Sequence, residues 1–495
     1  MSDNSHMAWE GWYTDIKLVA NGSYLTTTSV INNNWAYAYT NIRMACQFLQ
    51  NIEKCVELDT VEKESLTGQV RFFLAYSYIR LVALYGDVPL IEKVLTEGEA
   101  KVQTRTPKAE VLTFAHGQLD QAIKELEGKT LEKGRVTVGA CKALKARAYL
   151  WENDYSNLLS VTSELIGKYS LYTEGETPYA DLFNGNAEDA DEIILAREHT
   201  HTTGSITTGN RLNQAFFLKE MSGGDALRAL TPTGSLVDAY PMADGRLIHE
   251  SGSTYDPKDP YRDRDPRLAQ SIIYPTSTIR ESKTMTWVLY DPESEKSIPG
   301  QRYDAKEPSS SGYVWKKYCD WSDHAMIQIL DGGVDVIYFR YADVLLMHAE
   351  ALLETKGIAA SSEIFAIINQ LRDRCGGGRV TEANYTSEDA LRTLVRNERR
   401  VELANEGLRF FDIRRWKVAE KTVAVSGEGM NGEVYGAFMR LDGVGATDRT
   451  VMVDGVPRRY VETYNFDPSK HYLFPIPSKD IDLTNGALSQ NSGWD

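Results

Sequence analysis

Apolar residues recur every three to four positions along several segments of the chain, a spacing typical of amphipathic helices. Segment 35–52 places Tyr39, Ile42 and Cys46 on one helical face. Segment 70–85 is apolar around most of its circumference, and a glycine follows it directly. The hydrophobic pattern near the start of the chain therefore predicts two successive helices, the second of them buried on several sides.

Capping residues predict where the next helices begin. Thr106 at the N-cap and Pro107 at the first helical position predict a helix that runs to about residue 127. Thr137 is expected to cap a helix over 138–151, and a short Glu-Asn-Asp turn leads to a second helix over 155–169. This part of the chain is therefore predicted to form a helix, a tight turn and a helix.

The same arrangement is predicted late in the chain. Helices are expected over 341–355 and 360–374. A last helix is expected to start near Thr386, with Asp389 as a capping-box-like partner, and to end at Gly407. Paired helices of about 15 residues resemble tetratricopeptide repeats.

The stretches between and after these helices lack helical periodicity. Turn formers and aromatic residues dominate them, and only short runs such as 192–196 and 287–290 look like strands. Irregular regions of this length are usually functional. The predicted fold class is therefore mainly α: a tetratricopeptide-like scaffold of about four helix pairs with a large irregular, loop-rich face and a few short strands.

We expect a single domain over residues 1–495. Its helical repeats are placed at about 33–170 and 338–416, and its irregular region, which we expect to carry the function, at about 170–335 and 417–480. Residues 1–8 are interpreted as a cloning remnant.

Composition and charge exclude several classes of ligand and site without changing the predicted fold. The formal net charge of −16 repels phosphate backbones and anionic lipid, so nucleic acid is not an expected partner. No stretch reaches 18 consecutive apolar residues, and no membrane-spanning segment is predicted. The five cysteines are scattered without a CxxC pair, which argues against a zinc knuckle or a thioredoxin-like site. A neutral ligand fits this charge best.

Glu398, Glu402 and Glu406 lie four residues apart and so share one face of a helix. A glycosidase needs two carboxylates opposed across a sugar, typically about 5–9 Å apart, and spacing alone does not exclude this. Arg399 and Arg409 interleave these acids, however, and arginine–carboxylate pairs usually fix helix packing. We therefore interpret the cluster as structural and predict no catalytic residues.

Other candidate motifs lack the context that their chemistry needs. Segment 427–432 matches GxGxxG, but Asn431-Gly432 indicates a turn rather than the strand and helix of a dinucleotide site. His199 and His201 have no third histidine and no HExxH motif, and the acids that precede them lack EF-hand spacing. No metal site and no cofactor is therefore predicted.

Five ordered blocks of the sequence resemble the SusD/RagB family of nutrient-binding outer-membrane lipoproteins. They include a long helix that ends in Tyr-Gly-Asp-Val-Pro, an Asp-Pro-Arg signature and an Asn-Glu-Arg-Arg helix pair. The blocks are 71–90, 263–268, 339–351, 397–416 and 474–494. The export signal and lipidated cysteine usual in the family do not occur, and we expect that the N-terminus has been shortened.

The resemblance implies a scaffold of four tetratricopeptide-like repeats and no enzymatic activity. It implies a glycan ligand, an oligosaccharide or polysaccharide, that is captured at the cell surface and delivered to a TonB-dependent (SusC-like) outer-membrane transporter. The expected location is the outer membrane, through an N-terminal lipid anchor absent from this sequence. A peptide- or glycoprotein-binding member of the family is the alternative. A glycoside hydrolase and an intracellular repeat scaffold are less favoured.

Aromatic residues outside the helices are the candidates for the ligand site. Sugar rings have apolar C–H faces that stack on aromatic planes, and a ligand that covers an exposed ring removes apolar surface from water. In the family the site draws on the segment before the first helix pair and on the central irregular region. The candidate ligand-binding residues are Trp9, Trp12, Trp287, Tyr290 and Trp321.

The remaining aromatic residues divide between two interpretations. Trp35, Trp151 and Trp416 lie on predicted helices and are assigned to the core, and Trp494 in the C-terminal block is expected to be structural. Any single loop aromatic, Trp315 for example, can equally pack its loop onto the scaffold.

Overall fold

The computed structural model describes most of the chain, in eleven stretches. They are residues 2–8, 14–200, 209–217, 227, 229–275, 277–281, 286–288, 301–303, 310–319, 329–438 and 450–494. The chain divides into two compact units, which we name the mixed unit (residues 1–22 and 169–466) and the helical unit (residues 23–168 and 467–495). The single domain expected from the sequence stays a prediction.

The described helices and strands have the following bounds. The α-helices are α1 Thr14–Asn21, α2 Ser29–Asn51, α3 Thr60–Tyr85, α4 Glu97–Ala100, α5 Lys108–Leu126, α6 Val138–Glu152, α7 Tyr155–Leu165, α8 Pro178–Asp181, α9 Leu212–Phe216, α10 Gly234–Ala239, α11 Pro266–Ser271, α12 Tyr341–Lys356, α13 Ser361–Cys375, α14 Glu388–Glu402, α15 Arg409–Arg415, α16 Val423–Ser426 and α17 Ser478–Leu483. The strands are β1 Ser5–Met7, β2 Ile193–Arg197, β3 Leu230–Pro232, β4 Ile272–Ile273, β5 Thr278–Glu281, β6 Thr286–Val288, β7 Gln301–Tyr303, β8 Val314–Trp315, β9 Val336–Arg340, β10 Gly432–Phe438, β11 Thr450–Val453 and β12 Val456–Tyr464. This mainly helical architecture confirms the predicted fold class.

The helical unit is a stack of antiparallel helices. Helix α3 packs against α2 and α5, and α6 packs against α5 and α7. Tyr78, Leu119 and Leu144 are buried at these contacts, and the Tyr78 hydroxyl donates to the carbonyl of Ile91 at 2.8 Å. A Cβ added at Gly68 on α3 would lie 2.7 Å from Cγ of Leu126 on α5. The two helices therefore approach too closely for any larger residue.

The helix ends test the capping predictions. Thr137 caps α6 as expected, because its side chain accepts the N–H of Ala140 at 3.3 Å. Helix α5 begins at Lys108, one residue later than predicted, because Pro107 has extended ψ (136°) and is itself the N-cap. Helix α7 ends at Leu165 rather than at 169, since Ile166 is extended.

The last predicted helix is shorter than expected at both ends. Helix α14 starts after Ser387, whose hydroxyl accepts the N–H of Ala390 at 3.2 Å, so the cap is Ser387 and not Thr386. The helix ends at Glu402, five positions before the predicted stop at Gly407. Turns fill the gap before α15 begins at Arg409.

In the mixed unit, short strand pairs connect the helices. The antiparallel pairs are β1–β3, β2–β9 and β4–β8, and β5, β6 and β7 form a three-stranded sheet in which β6 and β7 are parallel. The region 417–480, predicted to be irregular, contains a second three-stranded sheet in which β12 pairs with β10 and β11. Asp454 and Gly455 connect β11 to β12 and both have positive φ, as a two-residue hairpin turn requires.

Residues 2–8 pack into the mixed unit. Strand β1 pairs with β3 in antiparallel register, with His6 opposite Thr231, and the N–H of Ala8 donates to the carbonyl of Ala229 at 2.7 Å. Asp3 is buried. The segment interpreted from sequence as a cloning remnant therefore makes interior contacts.

Within the described stretches, no helix combines the length and the apolar character needed to cross a membrane.

Candidate functional site

The centre of the mixed unit is a network of charged side chains around Glu402. One carboxylate oxygen of Glu402 accepts from Nη1 of Arg340 at 2.8 Å and also from Nη2 of Arg374. The other accepts from Nη1 of Arg267 at 2.9 Å. Because these side chains are almost wholly buried, the attraction between them acts at low dielectric and holds α11, β9, α13 and α14 together.

The neighbouring glutamates on α14 and after it extend this network. Glu398 accepts from Nη1 of Arg267 at 2.6 Å and from Nε of Arg372 at 2.9 Å. Glu406 accepts from both Nε and Nη2 of Arg340 at 2.8 and 2.7 Å. Glu398 and Glu402 on α14 and Glu406 in the turn after it are thus each paired with arginine. This confirms the structural interpretation of the cluster.

Lys317 closes one side of the network. Its Nζ donates to Oε1 of Glu406 at 2.7 Å and to the hydroxyl of Tyr179 at 2.8 Å, and lies 4.0 Å from the ring centroid of Phe183. Burial lowers the pKa of Lys317 to about 8, against the opposing influence of Glu406.

The ionisation of Glu402 is determined by two opposing effects. Burial raises its pKa, but Arg374, Arg340 and Arg267 outweigh burial and hold the pKa well below the usual range of a glutamate. A glycosidase acid needs the reverse, a raised pKa and access to the leaving oxygen. Glu402 therefore remains an ionised structural anchor.

The sequence-predicted ligand residues fall almost entirely outside the described stretches. Trp9, Trp12, Tyr290 and Trp321 are not among the described residues, and Trp287 lies on β6 with its side chain outside them. Their assignment to the site stays a prediction.

The described residues next to these candidates do lie together around β3. Ala8, directly before Trp9, is hydrogen-bonded to Ala229, and the Thr231 hydroxyl on β3 contacts the Ser310 hydroxyl at 3.2 Å. Ser310 begins the stretch that leads through β8 to Cys319, two residues before Trp321. The fold therefore brings Ala8, which precedes Trp9, and Ser310, eleven residues before Trp321, to the same strand.

Other aromatic residues have core positions. Trp35 and Trp416 are buried as predicted, whereas Trp151 is only partly buried. Trp315 lies in a turn-rich segment and is fully buried on β8, which supports the packing interpretation for that residue. Trp494 is partly buried and its ring centroid lies 4.9 Å from that of Tyr24.

The cavities lined by the described residues include two that are relevant to the question of function. One, of about 390 Å³, lies in the helical unit beside the Gly86-Asp87 turn. Arg105 on its wall donates to the Asp87 carbonyl at 2.8 Å and to Oδ1 of Asn491 at 2.5 Å. This arginine fastens the C-terminal segment to the turn, so we interpret the surrounding cavity as structural.

The other cavity is a groove of about 550 Å³ in the mixed unit that sequence analysis missed. Helix α14 forms one wall, where Arg392, Arg396 and Arg400 follow at four-residue intervals and Asp389 and Asn397 lie beside them. This spacing, visible in the sequence, could have indicated a polar helix face.

Asp3 lies in a socket of positive groups beside this groove. Nε and Nη2 of Arg409 donate to its two carboxylate oxygens at 2.9 and 2.6 Å, and the N–H of Gly429 donates at 3.1 Å. Nη2 of Arg400 lies 3.5 Å away. Burial raises the pKa of Asp3, but Arg409 and Arg400 outweigh it and lower the pKa to about 2.

A metal site is not formed by the described side chains. No group of three or more histidine, cysteine, aspartate or glutamate residues among them is arranged to hold an ion. His199 donates its backbone N–H to Asp335 at 2.7 Å, and His201 lies outside the described residues.

The chain belongs to the SusD family, whose model matches residues 191–494. A second family model, described as starch-binding associating with outer membrane, matches residues 2–150. SusD-like protein P2 of Formosa agariphila is 24% identical over 474 residues, which cover 93% of this chain and 80% of that protein. The resemblance drawn from the five sequence blocks is thereby confirmed.

Solved structures share the fold. A SusD-like carbohydrate-binding protein from Bacteroides fragilis superposes with a TM-score of 0.79 at 23% identity, over 97% of this chain and 90% of that one. A laminarin-binding SusD-like protein gives a TM-score of 0.64 at 20% identity, over 99% and 92% of the two chains.

Proposed function

We propose that this protein is a non-catalytic glycan-binding protein of the bacterial outer membrane. It captures an oligosaccharide or polysaccharide at the cell surface and passes it to a TonB-dependent transporter, and an N-terminal lipid holds it there. The observation that carries this proposal is the SusD family match over residues 191–494, supported by the fold shared with a carbohydrate-binding relative.

The proposed site is the aromatic set Trp9, Trp12, Trp287, Tyr290 and Trp321. Aromatic planes bind sugar faces by stacking, and several modest contacts together give affinities in the micromolar to millimolar range, about −8 to −4 kcal/mol. The contacts of Ala8 with Ala229 and of Ser310 with Thr231 support a shared site for Trp9 and Trp321. Weak binding suits a protein that must release its cargo.

The absence of catalysis is proposed from the chemistry of the described acids. Glu398, Glu402 and Glu406 are buried and paired with arginine, so none of them is available as a proton donor to a sugar. Prolonged incubation with a bound glycan is expected to release no reducing ends. Their appearance would favour the glycoside hydrolase instead.

Affinity electrophoresis against a panel of polysaccharides tests the binding proposal. We expect one glycan class to retard the wild-type protein, and at least one of Trp12→Ala, Trp287→Ala and Trp321→Ala to lose that retardation. Tyr37→Ala is the matched control, since this exposed aromatic residue on α2 lies outside the proposed site.

Two other outcomes would redirect the proposal. If no glycan retards the wild-type protein, the peptide- or glycoprotein-binding alternative replaces the glycan. If a glycan binds and all three variants retain it, the function stands and the proposed residues are wrong. Co-purification with a SusC-like transporter from outer membranes tests the partner separately.

A further inference from the structure

Residues 2–8 are attached to the mixed unit mainly by polar contacts. The buried side chains of this segment include Ser2, Asp3, Asn4 and His6, and Met7 is its buried apolar residue. Polar side chains are buried at this density only where partners satisfy them. The segment is thus attached through specific hydrogen bonds and ion pairs.

The backbone of the segment is held as an added strand. Strand β1 pairs with β3 to form a two-stranded sheet, and the Ala8 N–H donates to Ala229 beyond its end. At the other end, the N–H of Thr233 donates to the Asn4 carbonyl at 3.1 Å and its hydroxyl donates to the Asp3 carbonyl at 2.5 Å. Strand addition of this kind is how many proteins bind extended peptides, with side-chain pockets supplying specificity.

Two side-chain pockets select the sequence of the segment. In the first pocket, the Arg409 guanidinium donates two parallel hydrogen bonds to the Asp3 carboxylate. Arg400 donates from Nε to Oδ1 of Asn4 at 2.8 Å and from Nη2 to the Ser235 hydroxyl at 2.6 Å. A bidentate arginine contact is specific for a carboxylate, so the first pocket requires an acidic residue. The second pocket favours an amide oxygen on the next residue of the segment.

The acid is needed because the pockets are cationic. Without Asp3, Arg400 and Arg409 would remain as two buried guanidinium groups. Glu428 lies 3.3 Å from Arg409, but it also accepts from Lys421 at 2.7 Å. A buried charge that loses its partner is strongly unfavourable, so an anionic segment is the preferred occupant.

The pockets have an approach from solvent. Arg400 and Arg409 also line the open groove of about 550 Å³, together with Ser235, Gly427 and Glu428. The groove therefore reaches the two arginines that bind Asp3 and Asn4.

We propose that the socket of Arg400, Arg409, Gly429 and strand β3 is a peptide-recognition site for an extended segment with an aspartate followed by an asparagine. The chain's own residues 2–8 occupy it in cis, and it accepts the same segment in trans. The socket lies next to the proposed glycan site, since both involve strand β3, but it is tested by peptide binding alone and its test needs no glycan.

The test uses a fluorescent peptide, Ser-Asp-Asn-Ser-His-Met, and fluorescence anisotropy. The receptor is the full chain carrying Asp3→Asn, whose own segment has lost its charged anchor. We expect this receptor to bind the peptide at least about tenfold more tightly than the wild-type chain does, because Asp3 competes in the wild type. A peptide with asparagine in place of aspartate should bind about tenfold more weakly, and Arg409→Gln, which removes the cation that pairs with the carboxylate, should reduce that preference.

A second receptor, lacking residues 1–8, removes the competition altogether. Circular dichroism establishes that each receptor is folded. Acid-dependent binding to either folded receptor supports the proposal. Absence of binding to both, or equal binding of the aspartate and asparagine peptides, overturns it. If neither receptor folds, residues 2–8 are an inseparable part of the core, and the proposal is also overturned.

Discussion

The two units stabilise their interiors in different ways. In the helical unit the buried positions are largely leucine, alanine and isoleucine, and ion pairs such as Lys93–Glu99 lie at the surface with side chains 59% and 40% exposed. In the mixed unit Arg267 and Glu402 are fully buried. Exposed pairs contribute about 0–1 kcal/mol each, whereas breaking a buried pair costs about 3–5 kcal/mol. The mixed unit therefore adds a few buried charged residues to its apolar core, whereas the helical unit relies mainly on apolar ones.

The largest expected effect comes from removing one charge at the centre of the network. Glu402→Gln leaves Arg267, Arg340 and Arg374 without their shared carboxylate, and should lower the free energy of unfolding by about 3–5 kcal/mol. Urea denaturation measures this value. Glu97→Gln in the helical unit is the control, because its side chain is 84% exposed, and its denaturation midpoint should not move. Equal effects of the two substitutions would contradict the comparison.

The second-largest effect is expected from acid, which should weaken the attachment of residues 2–8 at the Asp3 socket. The pKa of Asp3 falls from its ordinary 3.8 to about 2 in the folded protein, so its contribution is present above about pH 4 and lost as pH falls toward 2. At 1.36 kcal/mol per pKa unit, this corresponds to about 2 kcal/mol. The protection of the Ser5–Ala8 amides against hydrogen exchange should therefore fall across this window in the wild type. In Asp3→Asn the protection of these amides should not change with pH over the same window. Unchanged protection of the wild type down to pH 2 would refute this linkage.

Smaller changes in stability, one negative and one positive, are expected when two glycines of the helical unit are replaced by alanine. Gly68→Ala would push Cβ against Leu126 and should destabilise by about 1–2 kcal/mol. Gly117→Ala, on α5, has open space within 4 Å and should stabilise by about 0.5–1 kcal/mol through helix propensity. Thermal unfolding of Gly68→Ala and Gly117→Ala measures both changes in stability. Stabilisation by Gly68→Ala would show that the α3–α5 contact yields easily.

Periodicity predicted the fold well where packing is local. Thr137 and the apolar spacing after it were sufficient to place α6, because a cap and one helical face act within a few residues. The sheet of β10, β11 and β12 was missed although Asp454-Gly455 is a strong hairpin sequence. Pro457 and adjacent arginines in β12 interrupt the alternation that would have marked the strand.

The site was less predictable than the fold. The shared face of Glu398, Glu402 and Glu406 indicated a structural cluster, but their partners Arg267 and Arg340 lie more than 60 residues earlier, and no local pattern identifies them. Asp3 was missed for the same reason, since its partner Arg409 is 406 residues away. The ligand aromatics were proposed from residue type and family resemblance, and they stay predictions.

The burial of Lys317 has a practical consequence. Its amine is enclosed by Glu406, Tyr179 and Phe183, while most lysines of a protein lie in water and react promptly with acylating reagents. Acylation of Lys317 requires that the mixed unit open first. The adjacent Lys316 is exposed and reacts first. A second acyl group on the peptide that contains both lysines would therefore record how often the charged centre of this protein is exposed to solvent.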